Sequence, residues 1–163
     1  MELDRLDLAI LDQLQANGRA TAQELSEAAH LSPSPSHRRQ KLLEEAGVIT
    51  RYVALLDQDK VGLPVNVFVT VKLANHADET LRTFERAVEA CQEVMEMYEM
   101  TGASDYLLRV VASDVASYEA FLRGRLTHIP GVHSFESALA LKRLIYRTNL
   151  PLRQGIPSRS PRY

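Results

Sequence analysis

Residues 31–49 read Leu-Ser-Pro-Ser-Pro-Ser-His-Arg-Arg-Gln-Lys-Leu-Leu-Glu-Glu-Ala-Gly-Val-Ile. Ser34, Ser36 and His37 open this stretch, and Arg38, Arg39 and Lys41 follow directly behind. Hydroxyls, an imidazole and long cations gathered at one helix end suit an anion. A helix start offers free backbone N–H groups and the positive end of its dipole, and arginine or lysine adds charge-assisted bonds to phosphate oxygens. The two prolines fit the same helix start. With Ser32 as N-cap, Pro33 falls at the first helical position and Pro35 at the third, where N–H groups have no intrahelical acceptor. A surface helix with an ordinary cap and solvated arginines has the same spacing, so the pattern alone leaves two readings open.

The elements before this stretch are the ones that must position it. Leu6, Ile10 and Leu14 recur at helical spacing over residues 4–17, with Asp4 as N-cap and Gly18 just past the end. Thr21 and Glu24 form a T-x-x-E capping box for a second helix, which meets the third at His30–Leu31. Three short helices joined this tightly are helix-turn-helix punctuation, in which the last helix enters the major groove by its N-terminal residues. The domain predicted over residues 1–52 carries six Lys/Arg against eight Asp/Glu, so one copy holds DNA weakly and several copies must share the work.

Residues 53–65 predict a strand and a linker, with Asp57, Asp59, Gly62 and Pro64 breaking an apolar run. Beyond them the rhythm alternates. Strands are expected at 65–74, 94–100, 105–112 and 132–145, and helices at 79–91 and 115–126. That order is β-α-β-β-α-β, a ferredoxin-like unit over residues 66–152 with both helices on one sheet face. The opposite face then calls for a cover, and self-association supplies it. The fold class is therefore α+β.

Composition narrows the functions. The chain has 163 residues, 45% hydrophobic, with a net charge of −2, so no global field marks a polyanion binder. After Glu136 there is no acidic residue, while Lys142, Arg143, Arg147, Arg153, Arg159 and Arg162 follow. Residues 153–163 read as a basic, disordered tail, either solvated or helping to hold a polyanion. The single Cys91 excludes an intramolecular disulfide and fits a reducing cytoplasm. The first residues lack a signal peptide's apolar run, and no stretch has the apolar length of a transmembrane helix. A cytoplasmic protein without membrane contact is expected.

With these residues in view, the chain resembles the leucine-responsive/asparagine-responsive (Lrp/AsnC, feast/famine) transcriptional regulators from about Leu3 to Leu152. The segments that carry the resemblance are the first helix, the Ser-Pro-Ser-Pro-Ser helix, "YVALLDQDKVGL", "TGASDYLLRV", "IPGV" and "RTNLPL", in the right order with the right gaps. The resemblance implies an N-terminal winged-type helix-turn-helix domain and a C-terminal ferredoxin-like βαββαβ (RAM-type) effector and oligomerisation domain. It implies dimers, assembled to tetramers or octamers, that bind double-stranded DNA and respond to a small effector, commonly an amino acid, with no resident cofactor or metal. Carried over position by position, Ser34, Ser36, His37, Arg38 and Lys41 face DNA, with Arg39 beside them. Thr101, Gly102, Ala103, Ser104, Asp105 and Tyr106 fall at an effector pocket between subunits. Gly102 permits a tight turn with exposed N–H groups for a carboxylate, and Asp105 is placed for an α-ammonium. The chain departs from the family pattern at Ser36 and Gln40, polar where apolar packing is usual, and in a loop that reads Gly-Ala-Ser-Asp rather than Gly-Asp-x-Asp.

An enzyme is the rival class. Ser104 in "GASDY" lacks the second glycine of a nucleophile elbow, and the five histidines show no metal-ligand spacing. The sirohaem decarboxylases resemble the same two-domain architecture, but "EMYEMTGASDYLLRV" holds no histidine of the kind they rely on. A ligand-binding module without DNA function is the other alternative. The residues favour a regulator that is not an enzyme.

Overall fold

The computed structural model describes residues 1–152; the basic tail expected at 153–163 lies outside the described residues. The chain folds as two compact units, one made of the N-terminal residues to Leu55 together with the segment from Ile145, the other of Leu56–Leu144.

The first unit holds three helices, α1 (Arg5–Ala16), α2 (Ala22–Ala29) and α3 (Pro33–Glu45). The expected N-caps of α1 and α2 form. The Asp4 carboxylate accepts from the N–H groups of Leu6 (2.8 Å) and Asp7 (2.9 Å), and the Asp7 carboxylate accepts from the Asp4 N–H at 3.1 Å. Thr21 and Glu24 exchange the same pair of bonds at the start of α2. Asn17 ends α1 one residue before Gly18. His30 ends α2 in the left-handed conformation (φ 53°, ψ 45°), a backbone state that costs a non-glycine residue about 1–2 kcal/mol. That turn lets α3 start three residues on, with Pro33 at its first position as expected. Ser32 is the N-cap by backbone position, but its side chain makes no capping bond.

Ile10, Leu11, Leu14, Leu25, Ala29 and Leu43 form the buried core of this unit. The returning C-terminal segment belongs to it as well. Gln15 and Leu150 bond in both directions, Nε2 to the Leu150 carbonyl at 3.2 Å and the Leu150 N–H to Oε1 at 2.6 Å, and Leu152 packs on the core. Residues 145–152 thus leave the effector unit to which the sequence pattern assigned them.

One ion pair crosses the unit. The Arg39 guanidinium on α3 reaches Asp4 and Asp7 at the start of α1, each at 2.7 Å. The Asp7 side chain is only 9% exposed, so its charge is largely withdrawn from water and needs this partner. Held by the Asp7 N–H first and by Arg39 as well, the Asp4 carboxyl sits below its ordinary value of 3.8.

The second unit is a four-stranded antiparallel sheet with strand order β2-β3-β1-β4, built from β1 (Val65–Leu73), β2 (Val94–Glu99), β3 (Tyr106–Ala112) and β4 (Val132–Leu139). Helices α4 (Asp78–Glu89) and α5 (Val115–Gly124) supply Phe84, Val88, Tyr118 and Phe121 to one core with Val67, Val69, Val71, Leu108 and Val110. This is the expected ferredoxin-like order. Gly131 takes φ 89° where the chain turns into β4, and a Cβ there would stand 2.5 Å from Thr80 Cγ2, so only glycine fits.

Two expected boundaries shift. Residues 51–56 form no strand, and Val53, Leu55 and Leu56 there are exposed. β4 ends at Leu139 instead of 145, because its partner β1 runs out: Leu139 lies opposite Val67, and a last bond joins the Ala140 N–H to the Asn66 carbonyl.

Ser36 is a third correction. Its side chain is fully buried against the helix-turn-helix core, and its Oγ has no hydrogen-bond partner, so it does not lie on a DNA-facing surface. A buried hydroxyl without a partner costs about 1–3 kcal/mol. Ser36→Ala is therefore expected to raise the unfolding free energy of this unit by about 1 kcal/mol in urea titrations; a loss of stability would mean the hydroxyl is satisfied. Arg39→Ala should lower it by about 1–2 kcal/mol, between the worth of an exposed pair and a buried one. Because the Asp4 pKa is depressed in the folded state, its contribution is full above about pH 4 and is lost as pH falls through the folded value. The deficit of Arg39→Ala should accordingly shrink in acid, and a deficit independent of pH would contradict the pairing.

Candidate DNA-binding and effector surfaces

The six residues expected at the DNA surface divide by their position around α3. Ser34, His37 and Arg38 are exposed along the N-terminal half of the helix, and Lys41, also exposed, lies just past its middle. Lys41 lies 3.6 Å from Glu45, a solvent-exposed pair that is easily exchanged for a phosphate. Arg38 has no ion pair among the described residues. Ser36 points into the core, and Arg39 is committed to Asp4 and Asp7, which also hold its guanidinium firmly protonated. Arg39 thus orients the helix instead of presenting a free cation. Gln40 faces the other flank, donating to Glu44 (3.1 Å) and to the Tyr52 hydroxyl (3.0 Å), which itself donates to Glu44. Leu42 is 44% exposed. The resulting face offers two hydroxyl or imidazole groups and two cations beside a helix start, a set suited to phosphate and base edges.

The loop between β2 and β3 has a different chemistry. Gly102 takes φ 117° with open space where a Cβ would be. The N–H groups of Gly102, Ala103 and Ser104 carry no intramolecular bond among the described residues. Three consecutive free N–H groups in such a turn form a concavity for an oxyanion. Thr101, Gly102 and Ala103 are exposed and Ser104 half-buried.

Asp105 closes the loop. Its backbone N–H donates to the Val71 carbonyl (2.9 Å) and its carbonyl accepts from Met100 (2.8 Å), which pins the loop base to the sheet. Its Oδ2 accepts from the Leu73 N–H at 2.7 Å, and Oδ1 lies 2.8 Å from His76 Nε2. The Leu73 N–H first, and His76 next, keep the Asp105 carboxyl below the ordinary carboxylate range, so it is ionised at neutral pH. Tyr106 does not line this loop: it is 2% exposed, its ring packs 4.8 Å from Phe84, and its hydroxyl donates to Glu85 at 2.9 Å. Burial and the Glu85 carboxylate push its phenol pKa far up, as befits a neutral core residue.

His76 is the participant that sequence reasoning missed. It stands 29 residues from Asp105, and its 70% exposed side chain meets that carboxylate only because β1 and β3 pair side by side. No local pattern marks such a contact. Reasoning from the alternation of β3 would have found the burial of Tyr106, which shares its parity with Leu108, Val110 and Ala112.

Comparison with known proteins agrees with this division. Residues 3–50 match the family model of a winged helix-turn-helix DNA-binding domain, and residues 66–150 match that of the Lrp/AsnC ligand binding domain. The Bkd operon transcriptional regulator of Pseudomonas aeruginosa is 42% identical over 151 residues, covering 93% of this chain and 99% of that protein. The DNA-binding transcriptional activator DecR of Escherichia coli is 35% identical, covering 92% of this chain and 99% of its own. Among solved structures, a transcriptional regulator from Neisseria meningitidis in complex with L-Met superposes with a TM-score of 0.87 at 38% identity, covering 91% of this chain and 96% of that one. Escherichia coli AsnC gives 0.84 at 26% identity, covering 91% of this chain and 99% of that one. With a helix-turn-helix unit, a ligand-binding unit and relatives matched over nearly their whole length, this chain belongs to the Lrp/AsnC family of transcriptional regulators.

Proposed function

We propose that this regulator reads DNA through Ser34, His37, Arg38 and Lys41, and that the 101–105 loop with His76 takes the backbone groups of an amino acid. The carrying observation is the exposed α3 face, whose free cation and hydroxyl groups are presented by a helix that Arg39 fixes to α1. The effector reading rests on the three free N–H groups and the ionised Asp105, matched in charge to a carboxylate and an ammonium. The Neisseria meningitidis relative, solved with L-Met, supports the same ligand class.

The active species on this reading is a cytoplasmic homodimer that assembles further to a tetramer or octamer, acting without cofactor or catalytic chemistry. The sheet face turned away from the helices supports self-association. It exposes Phe68 (41%) and Tyr98 (52%) around an Arg109 guanidinium bonded to Glu96 at 2.7 Å and to Asn66 at 3.2 Å. Burial would push the Glu96 carboxyl up, but bonds from Tyr98 and Arg109 outweigh it, so the pair remains charged. Two such domains present helices to half-sites one helical turn, about 34–36 Å, or a multiple apart.

Footprinting on DNA upstream of this protein's own gene, across a salt series, tests the first part. A protected site is expected, and Arg38→Ala/Lys41→Ala should reduce the salt slope by about 2 per chain for two lost phosphate contacts. Ser36→Ala should leave the footprint intact. No protection, or binding insensitive to salt, overturns the DNA assignment. Calorimetry with a panel of L-amino acids tests the second part. Asp105→Asn keeps an oxygen for the Leu73 N–H but removes the charge, and should weaken any binding amino acid at least about tenfold; unchanged affinity rejects the pocket.

A further inference from the structure

We propose that His76 is a displaceable stand-in for the α-ammonium of the ligand: it holds Asp105 in the free protein, leaves it when an amino acid binds, and so reserves that carboxylate for a cation. The inference rests on the effector reading above and assigns the part that His76 takes in it.

The two oxygens of Asp105 are not equivalent. Oδ2 accepts from the Leu73 N–H at 2.7 Å, a backbone bond that fixes the carboxylate in place. Oδ1 lies 2.8 Å from His76 Nε2. The Asp105 carboxyl is ionised and can only accept, so Nε2 carries the proton and donates. The Asp105 side chain is 20% exposed and that of His76 70%, so the imidazole covers the remaining oxygen from the solvent side. Lys72 also favours the charged form of Asp105, but it makes no ion pair with it among the described residues. The group standing at Oδ1 is the imidazole.

A single bond holds His76 there. Its Nδ1 has no hydrogen-bond partner among the described residues. The backbone on either side is pinned independently of it. The Ala74 N–H donates to the Gly131 carbonyl at 2.8 Å, and Asn75 Oδ1 accepts from the Ala77 N–H at 3.0 Å and from Thr80 Oγ1 at 2.8 Å. Rotation about the side-chain torsions of His76 therefore frees Oδ1 without moving the loop, a fast step for an exposed residue. The exchange favours one kind of incoming group. A neutral donor only repeats the bond it displaces, whereas an ammonium brings a full charge and a charge-assisted bond to the carboxylate. A carboxylic acid without an amino group gains nothing at Oδ1 and holds only to the free N–H groups of Gly102, Ala103 and Ser104. His76 thus makes the site selective for α-amino acids over the deaminated acids of the same side chain.

The test is calorimetry at one fixed pH on the wild-type chain, His76→Ala and His76→Gln, with a panel of L-amino acids and the deaminated carboxylic acid of each one that binds. His76→Ala should bind the amino acid about three- to tenfold more tightly, since one exposed hydrogen bond to a charged group no longer has to be displaced. The deaminated acid should bind both chains equally. Glutamine keeps an amide donor for Oδ1, so His76→Gln should return the affinity toward wild type. In the wild-type chain, proton–nitrogen correlation spectra should show the His76 ring as the Nε2-protonated tautomer when free and as a tautomer mixture once the amino acid is bound. Weaker binding by His76→Ala means that the imidazole contacts the ligand, and it overturns the proposal. Equal tightening of both ligands, which marks a steric effect, unchanged affinity, or an unaltered ring spectrum overturns it too. Asp105→Asn separates this inference from the reading beneath it. If that variant binds the amino acid more weakly while His76→Ala does not bind it more tightly, the pocket stands and the stand-in is wrong. If no L-amino acid binds, or Asp105→Asn binds as wild type does, the effector reading itself has failed.

Discussion

The Asp4–Asp7–Arg39 cluster is the interaction on which the DNA-binding unit turns. A helix-turn-helix recognises DNA only if its last helix keeps a fixed direction relative to the one behind it. Here the two carboxylates that cap α1 are the ones that bind α3. Helix start and interhelical contact are thereby one cluster. Asp7, nearly buried, has no adequate substitute for the guanidinium, so the geometry is strongly preferred. The same arrangement takes Arg39 out of the expected DNA-facing set, while Ser34, His37, Arg38 and Lys41 stay exposed on the helix.

Much of this was legible in the residues because it is local. Asp4 as a cap, the Thr21/Glu24 box and the tolerance of Pro33 at a helix start depend on neighbours within three or four positions, and all stand as expected. What escaped depends on partners far along the chain. Arg39 meets acids 32 and 35 residues away, and His76 meets Asp105 across two paired strands. The apolar run through Ile145 contains no breaker, so nothing in it announces that β4 stops where β1 does. Ser36 was a different kind of miss: its spacing of seven from the buried Leu43 places both on one helix face, and a serine in that position is a buried polar group without a partner.

The ligand-binding unit follows a similar economy. Asp105 ties the loop to β1 through the Leu73 N–H while keeping its charge, so one side chain both shapes the turn and supplies its electrostatics. Tyr106, one residue on, is committed to the core through Phe84 and Glu85. The Gly-Ala-Ser-Asp wording leaves a single acid at this turn, beside three backbone N–H groups that carry no intramolecular bond among the described residues.

The most direct test of the account is DNA protection of single cysteines placed along α3. In a Cys91→Ser background, Ser34→Cys, His37→Cys and Arg38→Cys should each react with a water-soluble maleimide in the free protein and be protected by the footprinted DNA. Leu42→Cys, exposed but further along the helix, should stay reactive in both states. Equal reactivity of the first three with and without DNA would contradict the claim that the N-terminal half of α3 is the reading surface.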